Sequence, residues 1–243
     1  MKVLGVIPAR GGSKRVKGKN ILPINGKPLI GYTIEDAMSS QLMDRVVVST
    51  DCDKIAGVVN KAYDIEVIKR PAEYATDESP IEESLLHAVE HLAKEENYFA
   101  DIVVWMQANV PIRKEGTIDK AIKNLCDSDA ESCVTCSPSK EVVELLKMVN
   151  EEGLIVPIKS NVRGIRWQEF PKRYLLDGSI AALRVDNLYK TRGIREAHIY
   201  LGEKVIPIVQ EHSMYSLEVD DPDDIGLIEY YLSQCIPSKT RRP

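Results

Sequence analysis

Between Arg10 and Lys19 the chain carries five cationic side chains, Arg10, Lys14, Arg15, Lys17 and Lys19, interleaved with Gly11, Gly12 and Gly18. Cations neutralise a polyphosphate, backbone N–H groups donate to it, and glycines let the main chain come close. The segment directly follows the apolar run Val3–Pro8, and open α/β sheets bind ligands just outside the carboxyl ends of their parallel strands. It is neither a G-x-x-x-x-G-K-[ST] loop nor a dinucleotide G-x-G-x-x-G. Composition alone leaves two readings, a phosphate cradle and a solvated basic loop.

Far along the chain stand Glu218 and Asp220. Residues two apart on a strand point to the same face, so two such carboxylates can share one ion. Mg²⁺ takes oxygen ligands and substrate phosphates, as transfer of a nucleotidyl group requires. The competing reading is an acidic cap ahead of a helix opening at Pro222, where Asp221 and Asp223 suit the dipole.

Three other patterns carry less. His87-Ala-Val-Glu90-His91 reads H-x-x-E-H, which puts two histidines one helical turn apart. Leu86, Val89 and Leu92 assign that helix to packing, and no third ligand stands out, so the histidines are expected at the surface or half-buried. Cys133-Val-Thr-Cys136 is a C-x-x-C within a predicted strand, where positions three apart face opposite ways; buried thiols are the expectation. Trp105 closes a core strand and is expected to pack. Trp167, among Arg163, Arg166 and Arg173, is placed in a substrate pocket or a dimer contact.

The elements that must position these residues alternate from the first residue onward. Val3–Pro8, Arg45 to Ser49, Glu66 to Ile68, Ile102 to Met106 and Ser132 to Cys136 read as strands. Between them, Pro28 opens a helix with Ile30, Ile34, Ala37 and Met38 at helical spacing, and a second helix carries Ile55, Val58 and Val59. Ser79-Pro80 has the chemistry of an N-cap followed by a first-turn proline, with Glu82 and Glu83 at the positive end and Leu85, Leu86, Val89 and Leu92 as the stripe. Thr117 to Leu125 is the next helix. This order predicts an α/β fold, a doubly wound, mostly parallel Rossmann-like sheet covered on both faces.

The rhythm breaks over about 138–175, which is read as an excursion, either a lid or a dimerisation arm. Regular structure resumes at Gly178 to Leu183, and a last helix runs from about Pro222 to Cys235 ahead of a polar tail. The whole of 1–243 is read as one domain.

Composition sets the bounds. With 44% apolar and 28% charged residues, 243 in all, the chain can bury a core without staples. A net charge of −5 argues against broad nucleic-acid binding, yet a local cationic cluster can hold a small anion. The opening apolar run is too short for a signal-peptide core or a span, so no membrane association is expected. Five scattered cysteines fit a reducing compartment, and a cytoplasmic protein is expected.

Ile7-Pro-Ala-Arg-Gly-Gly-Ser-Lys14 followed by Gly18-Lys-Asn20 resembles the opening motif of the acylneuraminate (CMP-sialic acid and CMP-nonulosonic acid) cytidylyltransferase family. Further blocks resemble it in the same order: Ser49-Thr50-Asp51, Arg70 to Asp77, Gln107 to Arg113, Asp177-Gly178, and Ser216 to Asp220. The resemblance implies a nucleotidyltransferase-type fold, CTP and an acidic sugar as substrates, Mg²⁺, and a homodimer. It implies that Arg10 and Lys19 contact the triphosphate, with Ser13 and Asn20 as hydrogen-bonding partners. Arg70, Asp77 and Ser79 then lie near the cytidine, and Gln107 and Asn109 face the sugar, joined by Lys147, Arg166 and Gln168 from the excursion. Glu218 and Asp220 become the metal-binding pair.

The chain departs from the family pattern where the sugar should bind. Gln107-Ala-Asn109-Val-Pro111 replaces Gln-Pro-Thr-Ser-Pro, Leu175 stands where an arginine is common, and Glu218 replaces an aspartate. A sugar carboxylate is usually held by a guanidinium fork, for which Arg166 and Arg173 are the substitutes at hand. The acceptor expected is thus a nine-carbon acidic sugar of sialic, legionaminic or pseudaminic type. The alternatives are a 3-deoxy-octulosonate-type acid, another NTP, or a nucleotide-binding protein without catalysis. The general base is left open.

Overall fold

The computed structural model describes residues 1–139, 141–159, 166, 168 and 170–235. Its centre is a seven-stranded sheet. In chain order the strands are β1 (Val3–Pro8), β4 (Arg45–Thr50), β5 (Glu66–Lys69), β6 (Ile102–Trp105), β7 (Ser132–Pro138), β10 (Tyr174–Arg184) and β11 (Val205–Val209). Across the sheet they run β11-β7-β10-β6-β1-β4-β5. All neighbours are parallel except β10, which pairs antiparallel with both β6 and β7.

The continuous apolar runs of the central strands follow from burial on both faces. In β1, Leu4, Val6 and Ile7 are sealed, and Val47, Val48, Val103 and Val104 beside them are equally dry. One face is covered by α1 (Leu29–Ser39), α2 (Asp53–Ala62) and α4 (Thr117–Cys126), whose Ile30, Ile34, Ile55, Ile118 and Ile122 meet Val48 and Val104. The other face takes α3 (Ile81–Glu96) and α5 (Val185–Thr191), through Leu85, Leu86, Val89, Leu92 and Leu188. Each buried aliphatic chain contributes roughly 1.5–3 kcal/mol of transfer free energy. A third cluster seats α6 (Pro222–Cys235) on the β2–β3 ribbon (Pro23–Ile24, Lys27–Pro28) through Ile228, Leu232, Ile24 and Leu29.

Several boundaries differ from the sequence reading. Pro28 is the N-cap of α1 rather than its first residue, because it also pairs with Pro23 in the ribbon. Met38, assigned to the buried stripe, is 51% exposed, since the stripe ends at Ala37. Pro80, not Ser79, caps α3 without a side-chain bond. The Ser79 hydroxyl instead donates to Glu73 O at 2.7 Å and accepts from the Thr76 N–H at 3.1 Å, closing the turn before the helix. β10 begins at Tyr174, four residues before the expected Gly178, and its register against β7 shifts between Leu176 and Ala181.

The excursion holds one small antiparallel pair, β8 (Lys147–Val149) with β9 (Ile155–Pro157). Cys133 and Cys136 are buried free thiols in β7. The His87 and His91 rings stack 6.1 Å apart on α3, and no cluster of three metal-ligating side chains occurs among the described residues. Trp167 and Arg163 lie outside the described residues. Among the described residues no helix is long and apolar enough to cross a membrane.

Candidate active site

A cleft of about 620 Å³ opens over the carboxyl ends of β1 and β6. Its walls include Arg10, Ser13, Lys19 and Asn20 from the glycine loop, Arg70 and Asp77 from the segment after β5, Ser79, Gln107, Asn109, and Asp220. The cationic loop, the Arg70–Ser79 segment and the residues after β6 therefore meet in one place, although they lie far apart in sequence.

The loop is held open by side chains and by one conformational requirement. Gly18 sits at φ 66°, in the left-handed region that glycine enters at no steric cost. The Asn20 amide donates to Arg10 O at 3.1 Å, and the Gly11 N–H donates to the Asp51 carboxylate at 2.9 Å. Asp51 also stands 4.0 Å from the Arg70 guanidinium. Asp51, which follows the Ser49-Thr50 end of β4, thus buttresses the loop, a role that sequence reading noted only as a motif.

Arg70 is 4% exposed; its Nη1 donates to Ser84 Oγ at 2.5 Å, and its Nε has no partner. Burial, partly offset by Asp51, pulls the guanidinium below the usual arginine value. A buried, incompletely satisfied donor facing the cleft is a ready partner for a ligand oxygen.

The other cations rest on carboxylates. Arg10 meets Asp77 at 2.7 Å and Lys14 meets the same carboxylate. The hydrogen bonds from Lys14 and Arg10 hold the Asp77 carboxyl below its ordinary range. Both arginine and aspartate are about 40% exposed here, so these pairs are weak and easily exchanged for phosphate. Lys19 is more enclosed and reaches Asp220 Oδ1 at 2.8 Å, while Arg15 bridges Asp220 at 3.0 Å and Asp221 at 3.1 Å.

The acidic pair converges on one amide. Asn109 Nδ2 lies 3.3 Å from Glu218 Oε2 and 3.3 Å from Asp220 Oδ1, and the Val219 N–H donates to Asn109 O at 2.9 Å. Burial, followed by repulsion from Asp220, pushes the Glu218 carboxyl up. Burial works against ionised Asp220 too, but Lys19 and Arg15 bring its carboxyl below the usual value. Asp223 stands in the first turn of α6 as expected, joined by Asp224, whose Oδ2 accepts from the Asp220 and Asp221 N–H groups at 2.8 and 2.7 Å. Asp220 lines the cleft beside Lys19, and the Asn109 amide links it to Glu218. Two mutually repelling carboxylates within reach of one point fit a divalent cation completed by substrate phosphates.

The excursion residues are not brought to this cleft. Lys147 is exposed on β8, Arg166 is exposed, and Gln168 lines a separate cavity of about 470 Å³ with Phe170, Tyr174 and Val209. Arg173 turns away as well, donating to Pro171 O at 2.7 Å and to Glu144. Neither arginine offered as a substitute at the sugar carboxylate lines the cleft. Leu175 is exposed on β10. Conversely, Trp105, expected only to pack, lines the cleft and stands edge-on to Tyr200 with ring centres 6.0 Å apart.

A cationic glycine loop in contact with an acidic segment at the strand ends of a mostly parallel sheet is the layout of a nucleotide-binding transferase. The family model described as cytidylyltransferase matches residues 4–234, and the chain belongs to that family: it is a CTP-dependent nucleotidyltransferase. It is 31% identical over 233 residues to the CMP-N,N'-diacetyllegionaminic acid synthase of Legionella pneumophila, spanning 94% of this chain and 95% of that one. It is 28% identical to the post-translational flagellin modification protein B of Campylobacter coli, over 96% of both chains. A solved CMP:2-keto-3-deoxy-manno-octonic acid synthetase complexed with CTP shares its fold, with a TM-score of 0.70 at 22% identity over 96% of this chain and 99% of that chain.

Proposed function

We propose that this cytidylyltransferase transfers CMP from CTP to the anomeric hydroxyl of a nine-carbon acidic sugar and releases pyrophosphate. The observation that carries the reading is the convergence of Arg10, Lys19, Gln107, Asn109 and Asp220 on one cleft, with the Asn109 amide linking Asp220 to Glu218. Relatives named for legionaminic and pseudaminic acids support the choice of acceptor. The alternative of an octulosonate-type acceptor has behind it only a likeness of fold.

In the reaction, the acceptor oxygen attacks the α-phosphorus, the α–β bridging P–O bond breaks, and the hydroxyl proton leaves to a base. Arg10 and Lys19 neutralise the charge that develops on the pyrophosphate, and Ser13 and Asn20 keep the loop in register. Arg70, with Ser79 in the same cleft wall, holds the nucleoside end, and Asp77 latches Arg10 and Lys14 until the nucleotide displaces it. Most of the rate enhancement comes from positioning and fixed charge. Glu218 and Asp220 would hold a divalent cation, assigned as Mg²⁺, which supplies charge neutralisation at the phosphates. Before it binds, the Lys19 ammonium supplies the positive charge at Asp220.

We assign 1–243 to one catalytic domain whose excursion is a dimerisation arm. Leu145, Met148, Val149, Leu154, Ile155 and Ile158 are all exposed there, an apolar density that a second copy of the chain would cover. From a partner, Lys147, Arg166 and Gln168 could serve a neighbouring cleft. Free described thiols and an odd cysteine count support a reducing compartment such as the cytoplasm. Pyrophosphate release across the four NTPs and a panel of acidic sugars tests the activity; turnover with GTP alone would sink it. A stable monomer in sedimentation at micromolar concentration would remove the arm's role.

A further inference from the structure

The acceptor half of the cleft is held by a side chain that does not line it. Arg113 follows the segment after β6, is 2% exposed, and spends its donors on three different elements. Nε donates to Ser179 O at 3.0 Å on β10. Nη1 donates to Val110 O at 2.6 Å and to Thr33 Oγ1 at 3.0 Å on α1, and Nη2 donates to Gln107 O at 2.8 Å. Asp36 lies 3.5 Å from Nη1, and Asp177 acts on it from farther away.

Burying a guanidinium is expensive, and an apolar side chain of similar volume would fill this space at less cost. What the arginine adds is geometry: a rigid fork whose donors reach carbonyls in several directions, which a lysine ammonium cannot match. The two carbonyls it clamps on its own loop, Gln107 and Val110, bracket Asn109. That residue's amide spans Glu218 and Asp220, and its carbonyl accepts from Val219 N–H. Gln107 is pinned from the other side by Gly178, whose carbonyl accepts the Gln107 N–H at 3.4 Å.

We propose that Arg113 is a positioning residue for the acceptor. It sets Gln107 and Asn109 against the acidic pair so that the attacking hydroxyl is presented in line, and the reaction uses its fork geometry rather than its charge. The inference rests on the proposed function in taking Gln107 and Asn109 as acceptor-facing residues.

The test is Arg113→Lys, with Arg113→Ala as the second variant. The readouts are the CTP dissociation constant, kcat and KM for the acidic sugar, and melting temperature. A misplacement of about 1 Å costs on the order of 100-fold in rate. Arg113→Lys is therefore expected to lose about 10- to 100-fold in kcat/KM for the sugar, with CTP affinity within about twofold of the unchanged enzyme. A cavity of about 220 Å³ between α1 and α4 reaches Arg113, so millimolar ethylguanidinium is expected to restore part of the sugar turnover of Arg113→Ala.

Equal losses in CTP binding and sugar turnover, tracking a fall in melting temperature, would show a merely structural arginine and overturn the proposal. Unchanged sugar kinetics in Arg113→Lys would overturn it too. If the unchanged enzyme turned over no acidic sugar at all, the acceptor reading and the positioning role would fall together.

Discussion

The two halves of the cleft are built on opposite principles. On the loop side, proposed to take the nucleotide, cations stand on exposed or half-buried carboxylates: Arg10 and Lys14 on Asp77, and Arg15 on Asp220 and Asp221. On the acceptor side, a buried arginine and a chain of hydrogen bonds to backbone carbonyls fix Gln107 and Asn109. Exposed ion pairs contribute little to stability, so a triphosphate can replace them at small cost. A buried network does not exchange, and any fault in it spreads. One side is made to be re-partnered by its ligand; the other is made to stay where folding leaves it.

The sharpest way to break this contrast is Lys19→Ala. It removes the most enclosed cation of the loop, and kcat/KM for CTP is expected to fall about 10²- to 10³-fold in a pyrophosphate-release assay. A loss below tenfold would mean that the loop is not the triphosphate site.

Next in size is a pH effect on stability from the acceptor side. Burial, opposed by Arg113, pushes the Asp36 carboxyl from its ordinary 3.8 to about 6. The folded state then holds a proton that the unfolded state releases, so this group's contribution to stability falls as pH rises from about 4 to 6 and is flat above. Relative to Asp36→Asn, the unchanged protein should lose on the order of 3 kcal/mol between pH 4 and 7 in paired urea titrations. A difference independent of pH would show that Asp36 is ionised throughout.

Gly178→Ala probes the same side more gently. The residue sits at φ 61°, and an added Cβ would come 2.3 Å from Gln107 Nε2. The variant should lose about 1–2 kcal/mol of stability and raise KM for the sugar while leaving KM for CTP alone. A rise in the CTP constant instead would join the two halves that the comparison separates.

The smallest effect expected is in Asp77→Asn. Freeing Arg10 and Lys14 should lower KM for CTP by about two- to fivefold at low salt, with the gain fading as ionic strength rises. A weaker CTP complex would make Asp77 a ligand contact rather than a latch.

The nucleotide half was legible because its chemistry is local. Five cations and three glycines share one short segment after a strand, so the candidate loop stands out in the residue order. The sheet was legible for a similar reason: buried parallel strands must be apolar throughout, and amphipathic helices must show their stripe. The misreadings at Pro28, Met38 and Ser79 arose at helix ends, where ribbon pairing and turn closure override local preference. Trp105 looked like core because its strand is core; only the bend of the chain after it opens the cleft.

The sequence by itself determined the strand-and-helix alternation and the family, and it singled out the cationic loop and the acidic pair as candidates. Tertiary structure alone decided what holds the acceptor side. Arg113 acts through backbone carbonyls and a hydroxyl, among them groups 66 and 80 residues away in Ser179 and Thr33. Every residue has such a carbonyl, so no residue type or spacing announces the partner, and only the folded chain selects which carbonyls a buried guanidinium meets.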